Sequence, residues 1–437
     1  MLNNKILGVK LSVWIMLLIL YLGLVLRMII AYYSSPDAMG ADLRGDLLHH
    51  RVAVNIVNGH GFVMNVGEPY SFNPPGYAYF LAGSYVLFGK TWFTIAFIQS
   101  SLSMLSVVCV YLIASKIYNR VSALIAASFM SFYPYSVYHS SRVMDTTLFT
   151  FMMLVSVALV IYYWRTRNLK SWIFIGLVMG LACLVRTTML AVCIGVFMWL
   201  IVVLGFSKGK KSLLACGLGI VCIVLPWTIR NFVVEREFIF IDSKGIPNAY
   251  MGNNELTLEY IDSGKSLDQL WQDSRFEREP KGLSGADERT WYMSQIVDFV
   301  RNNPMTYIKL LYKKLFLFWS PYINPNMSTV KGFGDIFSFS ELGTKLSFED
   351  FRRISYTISY SVLSLFAICG FVLSLGHISE SRLLLLVLLL YTLVNVLVWT
   401  STRLRIPLDS ILAIFAGYGM LRTVFGKFYE NIIRNSV

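Results

Sequence analysis

Charge is what this sequence has least of. Asp, Glu, Lys and Arg make up 14% of its 437 residues, against about 25% in ordinary soluble domains. That scarcity excludes a water-soluble globule. The six cysteines, Cys109, Cys183, Cys193, Cys216, Cys222 and Cys369, all fall in hydrophobic stretches, and the long polar loops have none. A disulfide framework and a Cys-based zinc site are therefore excluded. The five histidines lack zinc-ligand spacing, so no metal or other cofactor is indicated. No basic and aromatic module of nucleic-acid type is present, nor an internal repeat or a low-complexity tract. The first apolar run follows Lys5 and Lys10 and ends at Arg27 without a small-residue cleavage site. It reads as a retained first span, not as a removed signal peptide.

What is abundant is apolar: 56% of the residues are hydrophobic and the mean hydropathy is +0.59. The expected fold is an all-α integral membrane bundle of about ten transmembrane helices, with external amphipathic helices and a small external loop region. Candidate spans lie at about 11–31, 92–115, 121–138, 146–164, 171–186, 188–206, 212–229, 356–376, 382–400 and 404–422. With a cytoplasmic N-terminus, the inner connections carry Lys116 and Arg120, then Arg165, Arg167 and Lys170, then Lys208, Lys210 and Lys211, then Arg382, and last Arg422, Lys427 and Arg434. Every inner connection obeys the positive-inside rule, and the net charge of +13 is explained as orientation and contact with membrane lipids. The same arithmetic puts residues 32–91, the 139–145 turn, the Arg186 turn, the 230–355 region and the Arg403 turn outside. Residues 76–89 form too short an apolar run to cross, and 305–320 is interrupted by Lys309, Lys313 and Lys314, so both are expected to lie at the interface. Within the long loop a helix is expected from Ala286 to Asn302.

The polar stretch 36–62, PDAMGADLRGDLLHHRVAVNIVNGHGF, gathers Asp37, Asp42 and Asp46 directly after the first span. From Asp46 to Asn58 the spacing of Leu48, Val52 and Ile56 suits an amphipathic surface helix with Asp46 and His50 on another face, ended by Gly59. Ionisable groups gather on the same side: Arg142 and Asp145, Arg186, Arg230, Arg403 and Arg405. Charges at span ends on one side point to a site facing that aqueous compartment. Each also has a plainer reading. Asp46 suits a helix N-cap, the arginines suit snorkelling span ends, Arg405 and Asp409 suit an i, i+4 pair, and Lys313 and Lys314 suit headgroup anchors.

The stretch GDLLHHRVAVNIVNGHGF followed by FNPPGYAYFLAGSYVLFG resembles the first external loop of the GT-C superfamily of membrane glycosyltransferases, among the bacterial relatives of protein O-mannosyltransferases and of the lipid A aminoarabinose transferase. RVMDTTLFTFMML, LVRTTML, PWTIRNFVVEREFIFIDSKGIPNAYMGNNE and RLRIPLDSILAIFA follow in the family's order, with Asp145 where the family usually has Glu. The resemblance implies a GT-C-like bundle: a core over 1–229 with its catalytic loop at 32–91, an external region at 230–355, and C-terminal spans at 356–437. It also implies an inverting sugar transfer from a polyprenyl-phosphate donor to a lipid, glycan or protein acceptor, on the outer face of the cytoplasmic membrane.

Such a donor accounts for the residue mixture. Its tail takes an apolar groove, its phosphate takes Arg or Lys, and one carboxylate suffices as base, where hydrolytic glycosidases use two. Counting from Ala53 and Gly59 puts the family's Asp at Gly45, one residue from Asp46. Asp46 is taken as the base, with Asp42 second. Arg142, Arg186, Arg403, Arg405 and Lys313 are assigned to the donor phosphate, and Asp145 and His50 to substrate positioning. A transporter or flippase of lipid-linked sugars is the alternative, though it should show related halves and broken midplane helices. A non-catalytic scaffold would have no use for the Pro-Pro loop or the Asp-bearing helix.

Overall fold

The computed structural model describes residues 2–33, 48–166, 168–265, 267–280, 282–283, 285–321, 348–375 and 379–426. Among these every regular element is a helix. In chain order they are α1 (Leu2–Tyr33), α2 (48–57), α3 (Pro75–Phe88), α4 (Trp92–Ile117), α5 (Arg120–Phe132), α6 (Pro134–Ser140), α7 (Asp145–Tyr163), α8 (Leu169–Val185), α9 (Met189–Leu204) and α10 (Phe206–Glu235). There follow α11 (Gly245–Gly252), α12 (Glu255–Asp262), α13 (Gly285–Asn302), α14 (Pro304–Trp319), α15 (Phe348–Ser374), α16 (Ser379–Leu397) and α17 (Ile406–Thr423). Short 3-10 turns cover Leu267–Gln272 and Thr402–Arg405.

Seven of the described helices are long and apolar enough to cross a membrane, and α5, α8 and α9 are shorter apolar helices. Together they make the expected count of about ten, and the chain is an integral membrane protein. Leu11, Trp14, Tyr21, Leu218 and Leu389 are among many exposed apolar side chains, an arrangement that lipid tails stabilise and water does not. Neither α3 nor α14 is among the long apolar helices. At 14 residues, α3 is about 21 Å long, short of a hydrocarbon core of about 30 Å.

Helix pairs inside the bundle come together through glycine. A Cβ on Gly176 of α8 would strike the Cys216 carbonyl of α10, and one on Gly219 would strike that of Ile173. Gly370 of α15 and Gly419 of α17 are placed the same way against Phe415 and Phe366. Small residues let backbones approach where no hydrophobic driving force separates helix from lipid.

Two elements differ from expectation. The span at 121–138 is not one helix: α5 stops at Phe132, Tyr133 is extended (φ −66°, ψ 110°), and Pro134 opens α6. Proline disfavours the helical conformation in the residue before it, so the break falls where the sequence puts Pro134. The span at 212–229 runs on to Glu235 and takes Arg230 inside α10, ending at Arg236 in the left-handed region (φ 60°). The chain then folds back along the helix. Trp227 Nε1 donates to the Ile241 carbonyl (3.0 Å), Thr228 Oγ1 to that of Phe240 (2.6 Å), and Asn231 Nδ2 to those of Ile239 and Ile241. This return delivers residues 242–244 to the end of the bundle.

The chain from there to Asn302 packs its own small core, centred on Tyr250, Tyr260, Leu270, Phe276 and Tyr292 and touched by Trp399. This cap is clasped to the bundle by α14. Lys314 is fully buried, and its Nζ donates to the Asn253 side chain (3.1 Å) and the carbonyls of Gly252 (3.2 Å) and Val398 (3.3 Å). Asn253 Nδ2 reaches the Leu397 carbonyl at 2.9 Å. The Leu397 and Val398 carbonyls lie at the C-terminal end of α16 and that of Gly252 at the end of α11, where a helix leaves its last acceptors without intrahelical partners.

Candidate functional site

The site is built where α7 begins and α8 ends. Met144 is extended and Asp145 is the first residue of α7, so its carboxylate sits among the unpaired N–H groups of a helix N-terminus. Arg186 follows α8 in extended conformation. Its Nε donates to Asp145 Oδ2 (3.0 Å), and its Nη2 to Asp145 Oδ1 and to Thr146 Oγ1 (3.1 Å). The guanidinium also lies over the Phe149 ring, 5.0 Å from its centre. A two-pronged pair of this kind fixes both side chains as well as neutralising them.

Around this pair the bundle end is cationic. Arg142 and Arg352 both cover the Tyr138 ring, at 4.6 and 4.8 Å. His139 is buried between them, and its pKa lies well below the ordinary value because of burial first and then the charges of Arg403, Arg142, Arg352 and Arg186. His49, near the start of α2, stacks edge-on against Tyr77. Burial pushes the His49 pKa down to about 4; Asp145 opposes this, while Lys244 and Arg186 reinforce it. Tyr77 donates to Gln99 Oε1 (3.0 Å), and Gln99 Nε2 donates to the Arg142 carbonyl. One ring contact and two hydrogen bonds thus join the surface helix, α3, α4 and the turn before α7.

The folded-back segment adds Asp242 and Lys244. Asp242 is pushed up to about 6 by burial, against the opposing effects of Thr187, Lys244 and the Lys244 and Gly245 amides. Its Oδ2 is buried with no hydrogen-bond donor. Lys244 Nζ reaches Asn73 Oδ1 at 3.3 Å, directly before the Pro-Pro pair that starts α3.

The residues expected from sequence divide. Asp145, Arg186, Arg142 and Arg403 come together, as their mutual electrostatic influence on His139 and Asp145 shows. Arg405 is instead 2% exposed and spent on packing. It donates to Asp409 Oδ1 (3.1 Å) and to the carbonyls of Phe318 (3.0 Å) and Ser320 (2.6 Å), and covers the Tyr360 ring. Its partner one helical turn on explains this inward turn. Lys313 pairs with Asp262 of the cap at 2.8 Å, while its neighbour Lys314 is the buried one. His50 Nδ1 meets the Tyr85 hydroxyl at 2.8 Å and faces α3; His49, not His50, joins the Asp145 group. Arg230 bonds the carbonyls of Tyr70 (2.7 Å) and Phe62 (2.9 Å), pinning the loop after α2. Asp37, Asp42 and Asp46 lie outside the described residues. Sequence reading missed His49, Asp242, Lys244 and Arg352. Only Arg352 carried a visible signal, the charged FEDFRR run just before a span. Among the described residues no three His, Cys, Asp or Glu side chains converge to hold a metal.

The chain resembles known proteins in part of its sequence and in its fold. Residues 73–229 match the family of dolichyl-phosphate-mannose-protein mannosyltransferases. The archaeal oligosaccharyltransferase AglB from Archaeoglobus fulgidus, in complex with an inhibitory peptide and a dolichol-phosphate, aligns at a TM-score of 0.54 and 14% identity, over 97% of this chain and 52% of its own. This chain therefore spans about half the length of that enzyme. ArnT from Cupriavidus metallidurans bound to undecaprenyl phosphate aligns at 0.44 and 14% identity, over 95% of this chain and 78% of its own. No curated protein matches. The chain thus has the fold of that oligosaccharyltransferase. Residues 73–229 carry the pattern of the dolichyl-phosphate-mannose-protein mannosyltransferase family.

Proposed function

We propose that this protein transfers a sugar from a polyprenyl-phosphate donor to a lipid, glycan or protein acceptor at the outer face of the cytoplasmic membrane, with inversion at the anomeric carbon. The observation that carries the reading is the gathering of Arg142, Arg186, Arg352 and Arg403 around His139, with Asp145, Arg186 and Lys244 around His49, at one end of an apolar bundle. Cations in such excess suit a ligand that is anionic at one end and hydrocarbon at the other. AglB, whose fold is alike, was solved with a dolichol-phosphate.

In the proposed step the acceptor hydroxyl gives its proton to the Asp46 carboxylate, with Asp42 as the alternative base. Its oxygen bonds to the anomeric carbon from the face opposite the phosphate. The carbon–oxygen bond to the phosphate breaks, and its electron pair leaves with polyprenyl phosphate, whose added charge the arginines stabilise. His49 stands three residues after Asp46 in the chain, and its burial beside Asp145 supports the placing of the first loop at this site.

The test is transfer by purified protein in liposomes loaded with a polyprenyl-phosphate sugar. Asp46→Asn is expected to abolish transfer, at least about 10²-fold, while donor binding survives. Loss with Asp42→Asn alone would move the base to Asp42, and wild-type rates in both variants would sink the mechanism. Donor crossing the vesicle without transfer would favour a flippase instead. Mass spectrometry of lipid-linked sugars in a deletion strain would name the sugar.

A further inference from the structure

The cap holds a cavity of about 430 Å³ well separated in sequence from the arginine cluster. That size falls within the range of about 300–1,000 Å³ usual for small-molecule sites. Its lining includes the aromatic residues Tyr250, Phe276 and Phe299, each nearly buried, with only part of each side chain reaching the cavity. One wall is a single face of α13, where Gln295, Asp298, Phe299 and Asn302 recur at i, i+3, i+4 and i+7. Such spacing lines up an amide, a carboxylate, a ring and a second amide along one stripe. Glu255 and Glu277 stand at the exposed mouth.

The one arginine in the lining is already committed. Arg275 Nη1 and Nη2 each reach Glu259 at 3.0 Å, and Nη2 reaches Asp273 at 2.8 Å. Its charge is therefore balanced, and the carboxylates of Glu255, Glu277 and Asp298 leave the cavity acidic. A phosphate or other anion is repelled here, in contrast to the cationic site at the bundle end. A ligand that suits this lining has an apolar face to lie on rings and many hydroxyls for planar amides and carboxylates, which accept and donate in fixed directions.

We infer that the cap cavity binds a carbohydrate, neutral or amine-bearing, between the α13 stripe of Gln295, Asp298 and Asn302 and the rings of Tyr250, Phe276 and Phe299. Trp399 packs on the cap core, and Arg403 follows four residues later in the chain, so the cavity and the cationic site share one end of the bundle. On the transferase reading, the carbohydrate is part of the acceptor; the binding itself does not depend on that reading.

The experiment is saturation-transfer NMR with the purified full chain in detergent, titrating methyl glycosides of a neutral hexose, a 2-amino hexose and a hexuronic acid. The neutral and amino glycosides are expected to bind, with the uronate at least about tenfold weaker. Gln295→Ala and Asp298→Ala, both away from the cap core, should each weaken binding by about tenfold, the loss of one directed hydrogen bond to a small ligand. Asp298→Asn, which removes one carboxylate charge, should narrow the gap between the uronate and the neutral glycoside. Absence of binding by every glycoside, equal binding of the uronate, or binding untouched by both alanine variants would overturn the inference. Glycoside binding through Gln295 and Asp298 in a protein that transfers no sugar would leave the cavity assignment standing while the transferase reading falls. Transfer without such binding would do the reverse.

Discussion

Arg186 grips both carboxylate oxygens of Asp145 across 41 residues of sequence, tying the end of α8 to the start of α7. Thr146 takes a third bond from the same guanidinium, so the arginine is held in one orientation before any ligand arrives.

Arg186→Lys should therefore keep the charge and lose the fork. Transfer is expected to fall at least about tenfold, mostly through a higher donor KM. Asp145→Asn leaves the buried guanidinium without its counter-charge, a change that costs about 3–5 kcal/mol in comparable pairs, and should lower the melting temperature. A double-mutant cycle on thermal stability should give a coupling above about 1 kcal/mol; additivity would mean the pair is not held as described.

His49 gives the acid side of the stability profile. Its folded pKa, about 4, lies below the free value of 6.5, so the native state binds fewer protons than the unfolded chain between those values. Stability from this group is complete above about pH 6.5 and declines as pH falls towards 4, by up to about 3 kcal/mol. Melting curves of wild type and His49→Gln should converge on acidification, the wild type losing the difference over that window.

Asp242 has the opposite sign. Its folded pKa of about 6 stands above the free carboxylate value of 3.8, so the native state holds its proton more tightly. Its stabilising contribution is present below about pH 4 and lost as pH rises to 6, on the order of 2 kcal/mol with allowance for partial solvent access. Asp242→Asn is expected to melt at or above the wild-type temperature at pH 7.5. A clear drop there would show that the ionised carboxylate is stabilised by Lys244 more than burial opposes it.

Lys314→Met should undock the cap. The substitution keeps an apolar stem but strips donors from the Gly252 and Val398 carbonyls and the Asn253 amide, each costing about 1–3 kcal/mol when left buried and unpaired. Limited proteolysis within 236–303 should accelerate at least about tenfold, while cleavage elsewhere is unchanged. Equal rates would place the docking energy in other contacts.

The bundle was legible because hydrophobic length and periodicity survive any packing arrangement. Gly59 does end α2, with φ 82°, and the cap helix expected from Ala286 begins at Gly285. The site was half legible. Arg186 and Asp145 stand out as charges in apolar surroundings, but the choice between neighbours does not. Adjacent residues on a helix point about 100° apart. Whether His49 or His50, or Lys313 or Lys314, turns inward is decided by Tyr77, Asn253 and Val398, which are distant in sequence. Asp242 and Lys244 were invisible for the same reason, since only the bonds from Trp227, Thr228 and Asn231 carry them to the site. The Arg405–Asp409 pair, by contrast, was written in its i, i+4 spacing.

The Lys314 clasp also sets an order of assembly. Its carbonyl partner at Val398 lies 84 residues further along the chain. At about 5–20 residues per second of synthesis, roughly 4–17 s pass between the two leaving the ribosome. Through that interval Lys314 has its cap partners Gly252 and Asn253 but not the α16 carbonyls that dock the cap. Nascent chains arrested before α16 should therefore present an open cap to chaperones and proteases, and quality control would read the arrival of the C-terminal helices as the moment the protein is finished.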